Sequence, residues 1–145
     1  MKEPWFWRDE GIAARLAAAV LTPASLLYDF GQLLRAATAR PQPVGAPVIC
    51  VGNATLGGSG KTPVALMLQL MLKERGVNAC FLSRGYGGAL RGPLRILPHH
   101  AAKDVGDEPL LLAASAPTWI ARNRAAGARA AARSGDVIIM DDGFQ

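Results

Sequence analysis

Val48-Ile49-Cys50-Val51-Gly52-Asn53-Ala54-Thr55-Leu56-Gly57-Gly58-Ser59-Gly60-Lys61-Thr62 joins a short, branched apolar run to a glycine-rich turn and then to a helical pattern. Val48–Val51 has the composition of a buried parallel strand. Thr62–Arg75 predicts a helix: Pro63 is tolerable in its first turn, Val64–Leu72 is apolar except for Gln69, and Gly76 stops it. So broad an apolar face predicts burial. Between strand and helix, Thr55–Thr62 matches the Walker A pattern at Gly60, Lys61 and Thr62, with Thr55 where the first glycine is expected. Such glycines let backbone N–H groups turn inward around a phosphate, at a helix N-terminus whose dipole favours anions. Lys61 would then reach the β- and γ-phosphates, and the Thr62 hydroxyl suits Mg²⁺. The alternative is a plain glycine-rich turn, and the surrounding pattern argues against it.

Working outward, Ala79–Ser83 reads as a second strand. The stretch up to Lys103, with Gly85, Gly87, Gly88, Gly92, Pro93 and Pro98, is too broken for a long helix and reads as a loop with room for a hairpin. Asp107 and Pro109 supply an N-cap and a first-turn signal for a helix through Leu112, and Thr118–Ile120 suits a short strand. Asn123–Ser134 is alanine-rich and helical. Val137–Met140 is an apolar strand running into Asp141 and Asp142. Two acids at a strand end are often an ordinary turn. Beside Lys61 and Thr62 they read instead as a Walker B pair that helps hold Mg²⁺. Alternating strands and helices imply an α/β fold of P-loop NTPase type, with a mainly parallel sheet flanked by helices.

The first 40 residues differ. They open on Trp5, Phe6 and Trp7, and an uncharged stretch, Leu16–Tyr28, is interrupted by Pro23. It is too short to cross a bilayer as a helix, which takes about 20 residues. Helical spacing on either side of Pro23 would let the segment lie in a membrane interface, with Trp5, Trp7, Leu16, Leu26 and Leu27 inward and Arg8, Arg15 and Arg35 toward headgroups. The alternative is a helix packed on the core. Pro41–Pro47, with three prolines and a glycine, reads as a linker. The expected organisation is an amphipathic segment over 1–40, a linker over 41–47 and a nucleotide-binding domain over 48–145.

Sixteen Lys and Arg against eleven Asp and Glu give a net charge of +5, which favours anionic partners. Arg84, Arg91, Arg95 and Lys103 lie in a run from Gly76 to Lys103 that holds no acid, so a phosphate-bearing ligand is expected near that loop. Cys50 and Cys80 each sit in an apolar run without a paired C-x-x-C spacing and read as core thiols. No signal peptide is evident, which makes a cytoplasmic location the default. His99 and His100 lack the spaced partners of a metal site and read as surface residues.

V-G-N-A-T-L-G-G-S-G-K-T-P, S-R-G-Y-G-G, V-G-D-E-P and D-D-G-F-Q follow one another from Val51 onward in an order and spacing that resembles the tetraacyldisaccharide 4′-kinases. The resemblance implies an enzyme that transfers the γ-phosphoryl group of ATP to the 4′-hydroxyl of a tetraacylated glucosamine disaccharide 1-phosphate, the lipid A precursor. It implies ATP and Mg²⁺ as cofactors, and the precursor and an anionic membrane surface as partners, with no nucleic acid. Location would be peripheral, on the cytoplasmic face of the inner membrane. Carried over by position, Thr55, Leu56, Gly57, Gly58, Ser59, Gly60, Lys61 and Thr62 would bind ATP, and Thr62, Asp141 and Asp142 would organise Mg²⁺. Asp107 would take the acceptor's proton, and Arg84, Tyr86 and Arg124 would lie near substrate or phosphate. Members of the family continue well past D-D-G-F-Q and use histidines beyond it, so this chain is expected to be an incomplete domain with little activity by itself.

Two other readings compete. A P-loop ATPase switch of the partitioning or chaperone type would use the same cradle, but its usual signature has a second lysine where Leu56 stands. A non-catalytic module would dock on membrane through its N-terminal segment and keep a degenerate nucleotide site. A GTPase is disfavoured because no N-K-x-D or T-K-x-D segment occurs.

Overall fold

The computed structural model describes residues 11–38, 42–52 and 60–141. The chain divides into two compact units, Met1–Pro41 and Gln42–Gln145.

In the first unit, α1 (Ile12–Thr38) is one helix that runs through Pro23. Ser25 Oγ donates to the Thr22 carbonyl at 2.8 Å beside the proline, where a ring nitrogen removes one helical bond. Leu26, Leu27, Tyr28, Phe30, Leu33 and Leu34 are all exposed. Successive helical residues point about 100° apart, which puts Leu26, Leu27, Phe30, Leu33 and Leu34 on one broad face and Tyr28 off it. No helix among the described residues is long and apolar enough to cross a membrane. Trp5, Trp7 and Arg8 lie outside the described residues.

The second unit is built on five strands. These are β1 (Val48–Val51), β2 (Ala79–Ser83), β3 (Leu94–Arg95), β4 (Thr118–Ile120) and β5 (Val137–Asp141), in the order β1-β5-β2-β4-β3. The first four in that order are parallel, and β3 runs antiparallel to β4. The helices are α2 (Lys61–Glu74), α3 (Ala102–Val105), α4 (Asp107–Ala113) and α5 (Arg124–Ala131). Strand alternation sorts the core into two layers. Cys80, Leu82, Ile138 and Met140 face α5, where they meet Ala128 and Ala131. Ala79, Phe81 and Ile139 face the other side, with Ala65 of α2 and Leu112 of α4. Gly127 lets α5 approach closely, because a Cβ there would fall 2.8 Å from Leu82 Cδ1.

Three expectations need correction. β1 is parallel but not buried: among the described residues it is the edge strand, and only Val51 is covered. Cys50 is exposed, and α5 packs mainly over β2 and β4. Nor is the apolar face of α2 buried throughout. Ala65 and Gln69 turn inward, whereas Val64, Met67, Leu70 and Met71 form an exposed row. The 84–103 stretch is also more ordered than a loop, since it contains β3 and the first turn of α3.

The two thiols should behave differently. Burial pushes the Cys80 pKa from 9.0 up to about 11, partly opposed by its backbone hydrogen bond. A raised pKa means the thiol is held protonated when folded, so its contribution to stability is complete below pH 9 and fades as pH rises toward 11. With a thiol reagent at pH 8, Cys50 is expected to react in the native protein and Cys80 only after unfolding. Two equivalents consumed rapidly without denaturant would contradict this.

Candidate active site

The parallel register assembles one edge of the sheet from residues distant in sequence. Val51 pairs with Asp141, and Ser83 with Ile120. Leu82 pairs with Met140, and one further step sets Ser83 opposite Asp141. Val51, Asp141, Ser83 and Ile120 thus form a row across the carboxyl ends of β1, β5, β2 and β4. Loops leaving the carboxyl ends of parallel strands are where open α/β sheets bind ligands. The segments after these strands are those that the sequence singles out.

At the first position, β1 leads through the 53–59 stretch into α2. Thr55, Leu56, Gly57, Gly58 and Ser59 lie outside the described residues. Gly60 is the N-cap of α2, in a left-handed conformation with φ 72° and ψ 19°. A Cβ there would meet nothing within 4 Å, so the backbone conformation, not space, calls for glycine. Lys61 and Thr62 open the helix, half-buried. The cap supplies no side-chain hydrogen bond and the first turn holds no acid, which leaves the helix's leading N–H groups suited to an anion.

At the second position, Asp141 ends β5 next to Val51 and is only 1% exposed. A carboxylate so buried requires a compensating cation or hydrogen bonds. Its backbone carbonyl accepts from Arg124 Nη1 at 3.5 Å, which ties the start of α5 to the end of β5. Arg124, expected near substrate or phosphate, is in the structure tied to the end of β5. Asp142 lies outside the described residues.

At the third position, Arg84 and Tyr86 follow β2, both exposed, Tyr86 at 89%. Their loop is clamped against the V-G-D-E-P segment. A Cβ on Gly106 would collide with the Tyr86 carbonyl, and one on Gly88 would lie 2.7 Å from the Asp104 carbonyl. Ala89 N donates to Lys103 O at 3.0 Å and Leu90 N to Asp104 O at 2.8 Å. Glycines in both motifs therefore serve close backbone packing.

Asp107 is exposed at the first residue of α4 and is not its N-cap. Gly106 holds the cap with φ 93°, a conformation aspartate reaches only with strain. Because α4 feeds the amino end of β4, its own N-terminus, with Asp107, lies at the carboxyl edge of the sheet. The carboxylate is left facing solvent, available to a substrate. Pro109 sits in the first turn as expected. A cavity of about 560 Å³ opens at the opposite edge beside Gln69, Asn78 and Asp136. None of the predicted site residues lines it.

One arginine escaped the sequence reading. Arg122 follows β4, and its N–H donates to the Arg91 carbonyl at 3.0 Å. The acid-free run from Gly76 to Lys103 pointed to Arg91, but nothing in the sequence pairs it with Arg122.

Comparison with known proteins shows the family and the fold. The family described as tetraacyldisaccharide-1-P 4′-kinase matches residues 17–145. A tetraacyldisaccharide 4′-kinase of Parvibaculum lavamentivorans is 55% identical over all of this chain and 43% of its own length. One of Rhodospirillum centenum is also 55% identical, over all of the chain and 44% of its own. A crystal structure of LpxK from Aquifex aeolicus in complex with ATP superposes with a TM-score of 0.74 at 32% identity, covering 89% of this chain and 45% of that one. The chain spans less than half the length of the curated relatives it matches.

Proposed function

Because the chain belongs to the tetraacyldisaccharide-1-P 4′-kinase family, we propose that it carries the nucleotide cradle and acceptor base of a lipid kinase. The reaction is transfer of the γ-phosphoryl group of ATP to the 4′-hydroxyl of a tetraacylated disaccharide 1-phosphate in lipid A biosynthesis. One observation carries the reading: the register that sets Asp141 beside Val51, the strand leading to Gly60, Lys61 and Thr62.

Phosphoryl transfer is mostly positioning and charge stabilisation. Gly60 and the leading N–H groups of α2, with the 55–59 backbone, hold the phosphates, and Lys61 neutralises charge on the β- and γ-groups. The donors the chain offers there are hard oxygens, the Thr62 hydroxyl and the Asp141 carboxylate, to which Asp142 would add another. Such a set fits Mg²⁺, which binds through few protein oxygens together with phosphate. Bound there, the ion would offset charge on the transferring group. Asp107 accepts the proton of the attacking hydroxyl, and Arg124 braces the Asp141 strand end. Arg84 and Tyr86 face the acceptor.

The acceptor is a lipid, and the exposed apolar surface of α1 suits a headgroup interface on the cytoplasmic face of the inner membrane. Replacing Leu26 and Leu27 by aspartate should lower partitioning onto vesicles containing anionic phospholipid by about tenfold or more, given roughly 1.5–3 kcal/mol per buried leucine. Unchanged vesicle sedimentation would remove α1 from the interface.

The test of the reaction is label transfer from γ-labelled ATP to the tetraacyldisaccharide 1-phosphate in detergent by the full-length protein, with a control lacking lipid. Lipid-dependent labelling is expected. Hydrolysis without labelled lipid, by protein that binds ATP, would overturn the kinase reading.

A further inference from the structure

We propose that Arg91 and Arg122 form a two-arginine site for the acceptor's own phosphate, the anionic end remote from the hydroxyl that reacts. The inference rests on the kinase reading above.

The sheet acts as a ruler. Neighbouring strands lie about 4.8 Å apart, so β4 is about 10 Å from β5 with β2 between them. Asp141 and Lys61 mark one end of this line and Arg122, just past β4, marks the other. Two hexose rings laid end to end cover a similar span. An acceptor whose 4′-hydroxyl is at the Asp141 end therefore carries its anomeric phosphate to the end of β4. Tyr86 and Arg84, after β2, lie midway, where the sugar rings would pass.

The backbones that carry the two cations are held together at that far end. Arg122 N–H donates to the Arg91 carbonyl at 3.0 Å. The next residue, Gly92, is pressed so closely onto the Ile120 carbonyl that any Cβ would collide with it. Two residues 31 positions apart are thus held side by side at the end of β4. Both side chains are exposed, and among the described residues neither is paired with an acid. A phosphate monoester can accept forked hydrogen bonds from two guanidinium groups carried on neighbouring backbones, and no carboxylate among the described residues competes for these two. Their distance from the reacting end makes this a specificity site rather than part of the transfer chemistry.

The test compares two acceptors, the tetraacyldisaccharide 1-phosphate and the same lipid without its phosphate, using the full-length protein in neutral detergent. Arg122→Ala is expected to raise KM for the phosphorylated acceptor about tenfold or more, the scale of one charge-assisted hydrogen bond. kcat and the Kd for ATP should change little, and KM for the dephosphorylated acceptor should stay as it is. Arg91→Ala should act in the same direction, Arg122→Lys should recover part of the loss, and Arg133→Ala, at the opposite edge, should change nothing. Equal effects on both acceptors, or none on either, would overturn the site. Loss of binding to acceptor-free micelles doped with anionic phospholipid, matching the loss for acceptor, would also overturn it by assigning the arginines to the membrane. Absence of transfer by the unmodified protein to either acceptor is a separate result, the failure of the kinase reading, and the site falls with it.

Discussion

Lys61→Ala is expected to lower kcat/KM for label transfer by on the order of 10³-fold, at the lower end of what a cation acting on a transferring phosphoryl group contributes. Lys61 is the first residue of α2, next to the β1–β5 pair, and the helix's first turn holds no acid and no second basic residue. Its ammonium is therefore the cation that the chain itself brings to the leading end of the helix. Alanine removes the charge and keeps helical propensity, so the protein should still fold cooperatively. Titration with Mg·ATP should show weakened binding. Transfer within a few-fold of the unmodified protein would mean that the phosphates sit elsewhere, and the nucleotide reading would have to be abandoned.

The second large effect belongs to Asp107→Asn. A positioned general base contributes about 10²–10⁴-fold, so kcat should fall by that factor while the Kd for ATP is retained. The structure separates this role from a structural one. Because Gly106 is the cap, Asp107 contributes to α4 only through the helix dipole, about 0.3–1 kcal/mol. A purely structural aspartate would thus give a small loss of stability and a nearly unchanged kcat. A lower midpoint together with full activity would return Asp107 to the helix and leave the base unassigned.

Local chemistry made much of this legible. Gly60, Lys61 and Thr62 announce a helix start after a strand. The apolar run into Asp141 announces the neighbouring strand end, and Pro109 lies in the first turn of α4 as its preference for that position requires. What stayed hidden depends on which elements become neighbours. Val48–Val51 is as apolar as a central strand, yet β1 lies at the edge, and only strand order exposes Cys50. Cap assignment failed for a different reason. Asp107 is a better capping residue than glycine by side chain, but the backbone at Gly106 turns to positive φ against the Tyr86 carbonyl, a contact with a residue 20 positions earlier. Arg91 and Arg122 were illegible together because a single backbone hydrogen bond between distant loops joins them.

Cys50 has a practical use that follows from its place at the edge of the sheet. It stands one residue before Val51, where the chain leaves β1 for the phosphate-binding stretch, and the other thiol is sealed beneath α5. An environment-sensitive fluorophore attached to Cys50 would report nucleotide arrival in real time, with no cysteine added or removed.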